Sequence, residues 1–146
     1  MAKRFTLEEA RALLPRLGRL IGEAVAQKSE YQEAERGLEA QSARINLMGG
    51  VAVDRERARE ARHRRERSAE RLRDTLRSIV EAGCEVKDLD VGLLDFPSRF
   101  RGQEVYLCWK LGEPDIEYWH SVQDGFAGRK RIDEDFIRHH EGDRPH

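Results

Sequence analysis

The chain has 146 residues, 38% of them hydrophobic and 38% charged, with a net charge of −1. That length bounds it to one domain with at most a small satellite. So large a charged share must lie on solvated helix surface or tail, which leaves a modest core. No apolar run approaches the ~20 residues that span a bilayer, and the opening Met1-Ala2-Lys3-Arg4-Phe5-Thr6 lacks an apolar signal core. The expectation is a cytoplasmic protein, with no membrane partner, whose Cys84 and Cys108 are thiols.

Thr6 and Glu9 form a T-x-x-E capping box, so a helix starts near Leu7. An a/d stripe follows through Leu7, Ala10, Leu14, Leu17, Ile21, Ala24, Tyr31, Leu38 and Ile45, interrupted by Lys28, Glu35 and Ser42. Pro15 removes one hydrogen bond inside it and predicts a bend. Met48-Gly49-Gly50 ends the helix, and Asp54 is the expected N-cap of a return helix reaching about Ala82, where Gly83 stops it. The return stripe is Ala58, Arg62, Arg65, Ala69, Leu72, Leu76 and Ile79, apolar mainly in its last third. Both stripes agree on one antiparallel hairpin over residues 5–82, apolar at its base and solvated at its tip.

Residues 54–74 carry nine Arg and six Asp/Glu. Opposite charges at i,i+4, such as Glu60 with Arg64, read first as a self-paired helix face. The sharper alternative is a phosphate-contacting surface for nucleic acid. It is disfavoured by the missing aromatics and by an acidic residue in nearly every turn. Residues 1–83 hold 18 Lys/Arg against 14 Asp/Glu, and residues 84–146 hold 9 against 14. That polarity suits self-association or a polar partner.

After Gly83 the period changes to two. Strands are predicted at 85–89, 93–100, 104–111 and 116–121, with turns at Gly102 and at Gly112-Glu113-Pro114-Asp115. A four-residue second turn pairs Leu111 with Ile116, Lys110 with Glu117, Trp109 with Tyr118 and Leu107 with His120. One face then carries Leu94, Phe96, Phe100, Val105, Leu107, Trp109, Leu111, Ile116, Tyr118 and His120. The other carries Asp95, Arg99, Tyr106, Cys108, Lys110, Glu117 and Trp119. A one-residue slip would reverse this assignment. The fold class is α+β: a long antiparallel helical hairpin followed by a three- to four-stranded antiparallel sheet. Residues 1–132 form the domain, the sheet spans 84–122, and 133–146 are a tail.

The string from Gly83 to Pro97, the words Val105-Tyr106-Leu107-Cys108-Trp109-Lys110-Leu111-Gly112-Glu113 and Tyr118-Trp119-His120, and Gly125-Phe126-Ala127-Gly128-Arg129 resemble a prokaryotic family known only as domain of unknown function 2203. Phe5-Thr6-Leu7-Glu8-Glu9-Ala10 with Leu13-Leu14-Pro15 is similar too. The resemblance covers roughly residues 4–132 and brings no established activity. It implies that residues 83–129 hold whatever is particular to this chain.

His120 is the one histidine inside the predicted fold, and its two readings are a structural core residue and a metal ligand or general base. A Cys108–His120 zinc pair is disfavoured, because the expected register points the two to opposite faces and no C-x-x-C or H-x-x-x-H pair completes a set. A looser divalent-metal set of Asp95, Glu113 and His120 requires Asp95 to reach around a strand edge. Arg129 reads as a loop salt bridge or an anion anchor. Tyr106, Cys108 and Trp119 are too apolar for a bare face, so either the tail covers them through Phe126, Ile132 and Phe136 or they form a partner or ligand surface. No Walker loop, G-x-G-x-x-G, G-x-S-x-G or H-E-x-x-H motif is present. The first functional expectation is a non-catalytic interaction or assembly module, self-associating or binding a protein partner through the hairpin. The alternatives are a metal-binding or enzymatic module within residues 87–129 and weak nucleic-acid binding by the Arg-rich helix.

Overall fold

A computed structural model describes residues 3–48 and 52–143. The expected helix stop at Gly49-Gly50 lies outside them. Helix α1 spans Leu7–Met48 and α2 spans Ala52–Glu81. The antiparallel sheet has strands β1 (Glu85–Asp88), β2 (Leu93–Phe100), β3 (Gln103–Lys110), β4 (Tyr118–Ser121), β5 (Lys130–Arg131) and β6 (His140–Glu141), with helix α3 (Glu134–His139) before β6. The α+β hairpin-and-sheet expectation is met, with two short strands beyond those anticipated. Among the described residues, no helix is long and apolar enough to cross a membrane.

The chain forms two compact units, Met1–Gly22 with Leu76–His146, and Glu23–Thr75. In the second unit, α1 and α2 run antiparallel over a seam of small side chains: Ala24, Ala34, Ala58, Ala61 and Ser68 are buried. The seam corrects the expected return stripe. Ala61 and Ser68 are buried where Arg62 and Ala69 were expected, and the charged Arg62 stays in water. Arg65 stays at the seam and pairs with Glu35 at 3.1 Å.

In the first unit the capping box forms as expected: Glu9 N–H donates to Thr6 Oγ1, and Thr6 N–H donates to Glu9 Oε1, both at 3.1 Å. Helix α1 runs unbroken through Pro15. Gly83, at φ 97°, ends α2 with the N–H of Gly83 on Val80 and that of Cys84 on Ile79. One sheet face carries Leu94, Phe96, Val105, Leu107 and Trp109, all buried. Gly18 of α1 lies against Trp109, where even a Cβ would come within 3.3 Å of the indole ring. Phe5 meets Phe96 edge to face at 5.5 Å.

The hairpin between β2 and β3 turns on Arg101 (φ 51°) and Gly102 (φ 80°), the left-handed pair of a two-residue turn that matches strand twist. Its ladder pairs Leu94 with Trp109, Asp95 with Cys108 and Phe96 with Leu107. Strand β1 pairs with β2 only as far as Asp95, and beyond it Phe5 N–H donates to Pro97 O at 2.7 Å. Pro97, which has no N–H to offer, thus sits where none is needed.

Strand β4 departs from expectation by one residue. Its partners are Tyr106 with His120, Leu107 with Trp119 and Cys108 with Tyr118. Residues 111–117 form a longer connection than the expected four-residue turn. It is pinned by Trp109 Nε1–H donating to Glu113 O (3.0 Å) and by Lys110 N–H donating to Glu113 Oε1 (2.7 Å). Because side chains alternate, this slip turns Tyr118 and His120 to the face of Asp95 and Cys108 and turns Trp119 to the opposite face.

Residues 133–143 close over that opposite face. Asp133 caps α3 through Phe136 N–H, and Phe136 is fully buried against Phe100, Trp119 and His140, with ring centroids 5.0, 4.9 and 5.2 Å away. His140 Nε2 accepts the N–H of Leu7 at 2.9 Å, satisfying a free donor of the first turn of α1.

Candidate metal centre

Three neighbouring strands set three ligand-type side chains on one sheet face. Asp95 comes from β2, Cys108 lies directly opposite on β3, and His120 comes from β4 beside Cys108. They are 1%, 1% and 2% exposed. One donor atom from each lies within 4.8 Å of the other two. His120 Nε2 is 2.9 Å from Asp95 Oδ2, and its Nδ1 is 2.8 Å from the carbonyl oxygen of Ser121. A carbonyl only accepts, so Nδ1 carries a hydrogen and Nε2 is the nitrogen aimed into the cluster. Asp95 Oδ1 is buried without a hydrogen-bond partner.

Burial disfavours the His120 imidazolium, but hydrogen bonds with Asp95, Cys108 and the Ser121 carbonyl outweigh it and push the imidazole up to about 10. Both ring nitrogens face oxygen acceptors, Nδ1 the Ser121 carbonyl and Nε2 the Asp95 carboxyl group. The other thiol, Cys84, is held far above its ordinary range by burial and donates to the Asp95 carbonyl at 3.3 Å.

Half-buried Tyr106, Glu113 and Arg129 and the exposed Lys87 rim the cluster. The Tyr106 ring is 5.5 Å from that of His120, and Lys87 Nζ stands 4.5 Å from the Tyr106 centroid. Burial, then the Glu85 carboxylate, raises the Tyr106 phenol. On the other side Arg129 grips Glu113 through Nη1 (3.0 Å) and Nη2 (2.8 Å), and Nη1 lies 3.9 Å from Cys108 Sγ.

Asp95 and His120 therefore meet without any reach around an edge, on the shared face that the β4 slip creates. Glu113 does not join them, because its carboxylate is held by Arg129 and the Lys110 N–H. Cys108 takes the third place. Trp119 leaves the Tyr106–Cys108 face for the Phe136 stack. Ser121, whose carbonyl sets the His120 tautomer, carries no side-chain signal for that role. The Asp95–Cys108 pairing was implicit in the correctly placed Gly102 turn.

The model of a family described as an uncharacterized conserved protein, DUF2203, matches residues 3–132. The chain belongs to the DUF2203 family. Comparison with curated proteins and with solved structures returns no match. The matched span of this DUF2203 chain contains Asp95, Cys108, His120, Glu113 and Arg129 and ends just before α3.

Proposed function

We propose that this DUF2203 protein is a divalent-metal-binding module of the zinc class, with Asp95, Cys108 and His120 as its protein ligands. The observation that carries the reading is the convergence of one carboxylate, one thiol and one imidazole nitrogen within 4.8 Å in a buried site. A tetrahedral zinc ion with bonds of about 2.0–2.3 Å spaces its donor atoms roughly 3.3–3.6 Å apart, within reach of small side-chain adjustments here. The Nδ1–H bond to Ser121 is the kind of outer contact that fixes a ligating imidazole. The unpartnered Asp95 Oδ1 is an acceptor a cation would satisfy. Three protein donors leave a fourth position for water or a ligand, the pattern of sites that do chemistry rather than only hold a fold.

The assembly reading draws less support on the sheet. Trp119 lies against Phe136, and Cys108 is 1% exposed, so Tyr106, Cys108 and Trp119 do not make one accessible surface. Cobalt(II) substitution tests the metal reading. Sulfur-to-cobalt charge-transfer absorption should appear in the wild type and vanish in Cys108→Ser. A folded protein that takes up cobalt without any thiolate band would remove Cys108 from the site.

A further inference from the structure

Arg129 has more hydrogen-bonding capacity than its loop salt bridge uses. Its side chain is 18% exposed and rigidly held: the guanidinium carbon is 4.0 Å from the Tyr118 ring centroid and 4.4 Å from that of Phe126. The turn Phe126–Gly128 that carries it is tight, since a Cβ on Gly128 would fall 2.5 Å from that of Asp124. A guanidinium has five N–H donors in a planar fork. One Nη1–H and one Nη2–H go to the two oxygens of Glu113, and the second Nη1–H points at Cys108 Sγ. Nε–H and the second Nη2–H remain without a partner among the described residues. These two lie parallel along one edge, the geometry that binds a carboxylate or phosphate group through two oxygens.

We propose that the Nε/Nη2 edge of Arg129 is a binding site for an oxyanion group, carboxylate or phosphate, of a small-molecule ligand. Glu113 serves as the positioning residue. It neutralises part of the charge but fixes the plane of the fork, so little side-chain entropy remains to be lost on binding. Further positive charge stands nearby: Lys110 Nζ is 5.9 Å from the Phe126 centroid, and the Arg131 guanidinium is 6.0 Å from that of Tyr118. Glu117, which takes Arg131 at 3.7 Å, tempers it. The site does not require a bound metal. Arg129 touches the ligand cluster only through the Nη1 contact with Cys108, so failure of the metal reading leaves it standing.

The test is NMR observation of arginine Nε–H resonances during separate titrations with inorganic phosphate and with acetate, at physiological ionic strength and with metal chelated. A saturable shift of the Arg129 resonance is expected, and the tighter of the two ions names the ligand class. Arg129→Lys keeps the charge but loses the fork, and should weaken binding at least tenfold. Arg131→Ala, with a side chain 73% exposed in the native protein, should change it less than threefold. No saturable shift at Arg129 would overturn the proposal. So would equal binding by Arg129→Lys and the wild type, or a loss in Arg131→Ala as large as in Arg129→Lys. If Arg129→Lys does not fold, the wild-type resonance and Arg131→Ala decide the matter.

Discussion

Phe136→Ala probes whether residues 133–143 are an integral part of the sheet unit. The Phe136 side chain is fully buried, with Phe100, Trp119 and His140 rings at 4.9–5.2 Å. Truncating a buried Phe costs about 3–5 kcal/mol in transfer and cavity terms, and each aromatic contact adds roughly 0.5–1.5 kcal/mol to what the area alone contributes. The segment has an escape, because it can detach and leave β2 to β4 folded. The measured loss is then the smaller of the cavity cost and the docking energy of the segment. That docking energy is substantial on the structure: β6 pairs with β2, Asp143 N–H donates to Arg4 O at 3.0 Å, and Arg4 N–H donates to Asp143 Oδ2 at 3.0 Å. Urea unfolding followed by tryptophan fluorescence should show a loss of at least ~2 kcal/mol, on the cavity scale above. Amide exchange at Ile137 and His140 should rise in parallel. A loss below about 0.5 kcal/mol, the range of ordinary surface substitutions, would refute the packing argument.

His140→Ala removes the acceptor of Leu7 N–H and should cost about 1 kcal/mol in the same assay, the usual worth of a helix cap. Asp95→Ala leaves His120 buried without its partner and should destabilise the metal-free protein by about 3–5 kcal/mol, well beyond the effect of Asp95→Asn. In metal-free protein the raised His120 pKa stabilises the fold fully below the unfolded value of 6.5, and this stabilisation is lost as pH rises toward about 10. Chemical denaturation across that window should therefore show falling stability, and His120→Gln should flatten the slope. Glu104 behaves in the opposite sense. Its hydrogen bond with Arg4 holds the carboxyl below 4.5, so the small stabilisation from this exposed pair is present above that pH and disappears on further acidification, as a pH series on Glu104→Gln would show.

Much of the architecture was legible because local and global signals agreed. The Thr6–Glu9 box, Gly83 and the Gly102 turn each encode their geometry within a few residues, and the alternation of β2 and β3 about that turn fixes which residues share a face. Strand β4 was not legible for a matching reason. Tyr118, Trp119 and His120 are all amphiphilic, so their pattern does not say which face is inward. The register depends instead on a connection held by the Trp109 and Lys110 contacts with Glu113. That one-residue ambiguity set His120 apart from Cys108 in the sequence reading and hid the cluster, although Asp95 and His120 were both singled out. On α2 hydrophobic periodicity ranks Leu76 above Thr75, yet Thr75 is buried and Leu76 only half so. Helix α3 has six residues and a single buried side chain, too little periodicity for a pattern to register.

Elemental analysis of untagged protein after dialysis against excess zinc, beside Cys108→Ser and His120→Ala variants shown to be folded, tests the metal centre most directly. Near-stoichiometric metal in the wild type and a clear loss in both variants is the predicted result. A folded wild type that retains no metal, or variants that retain as much as it does, would contradict the assignment of Asp95, Cys108 and His120 as a metal site.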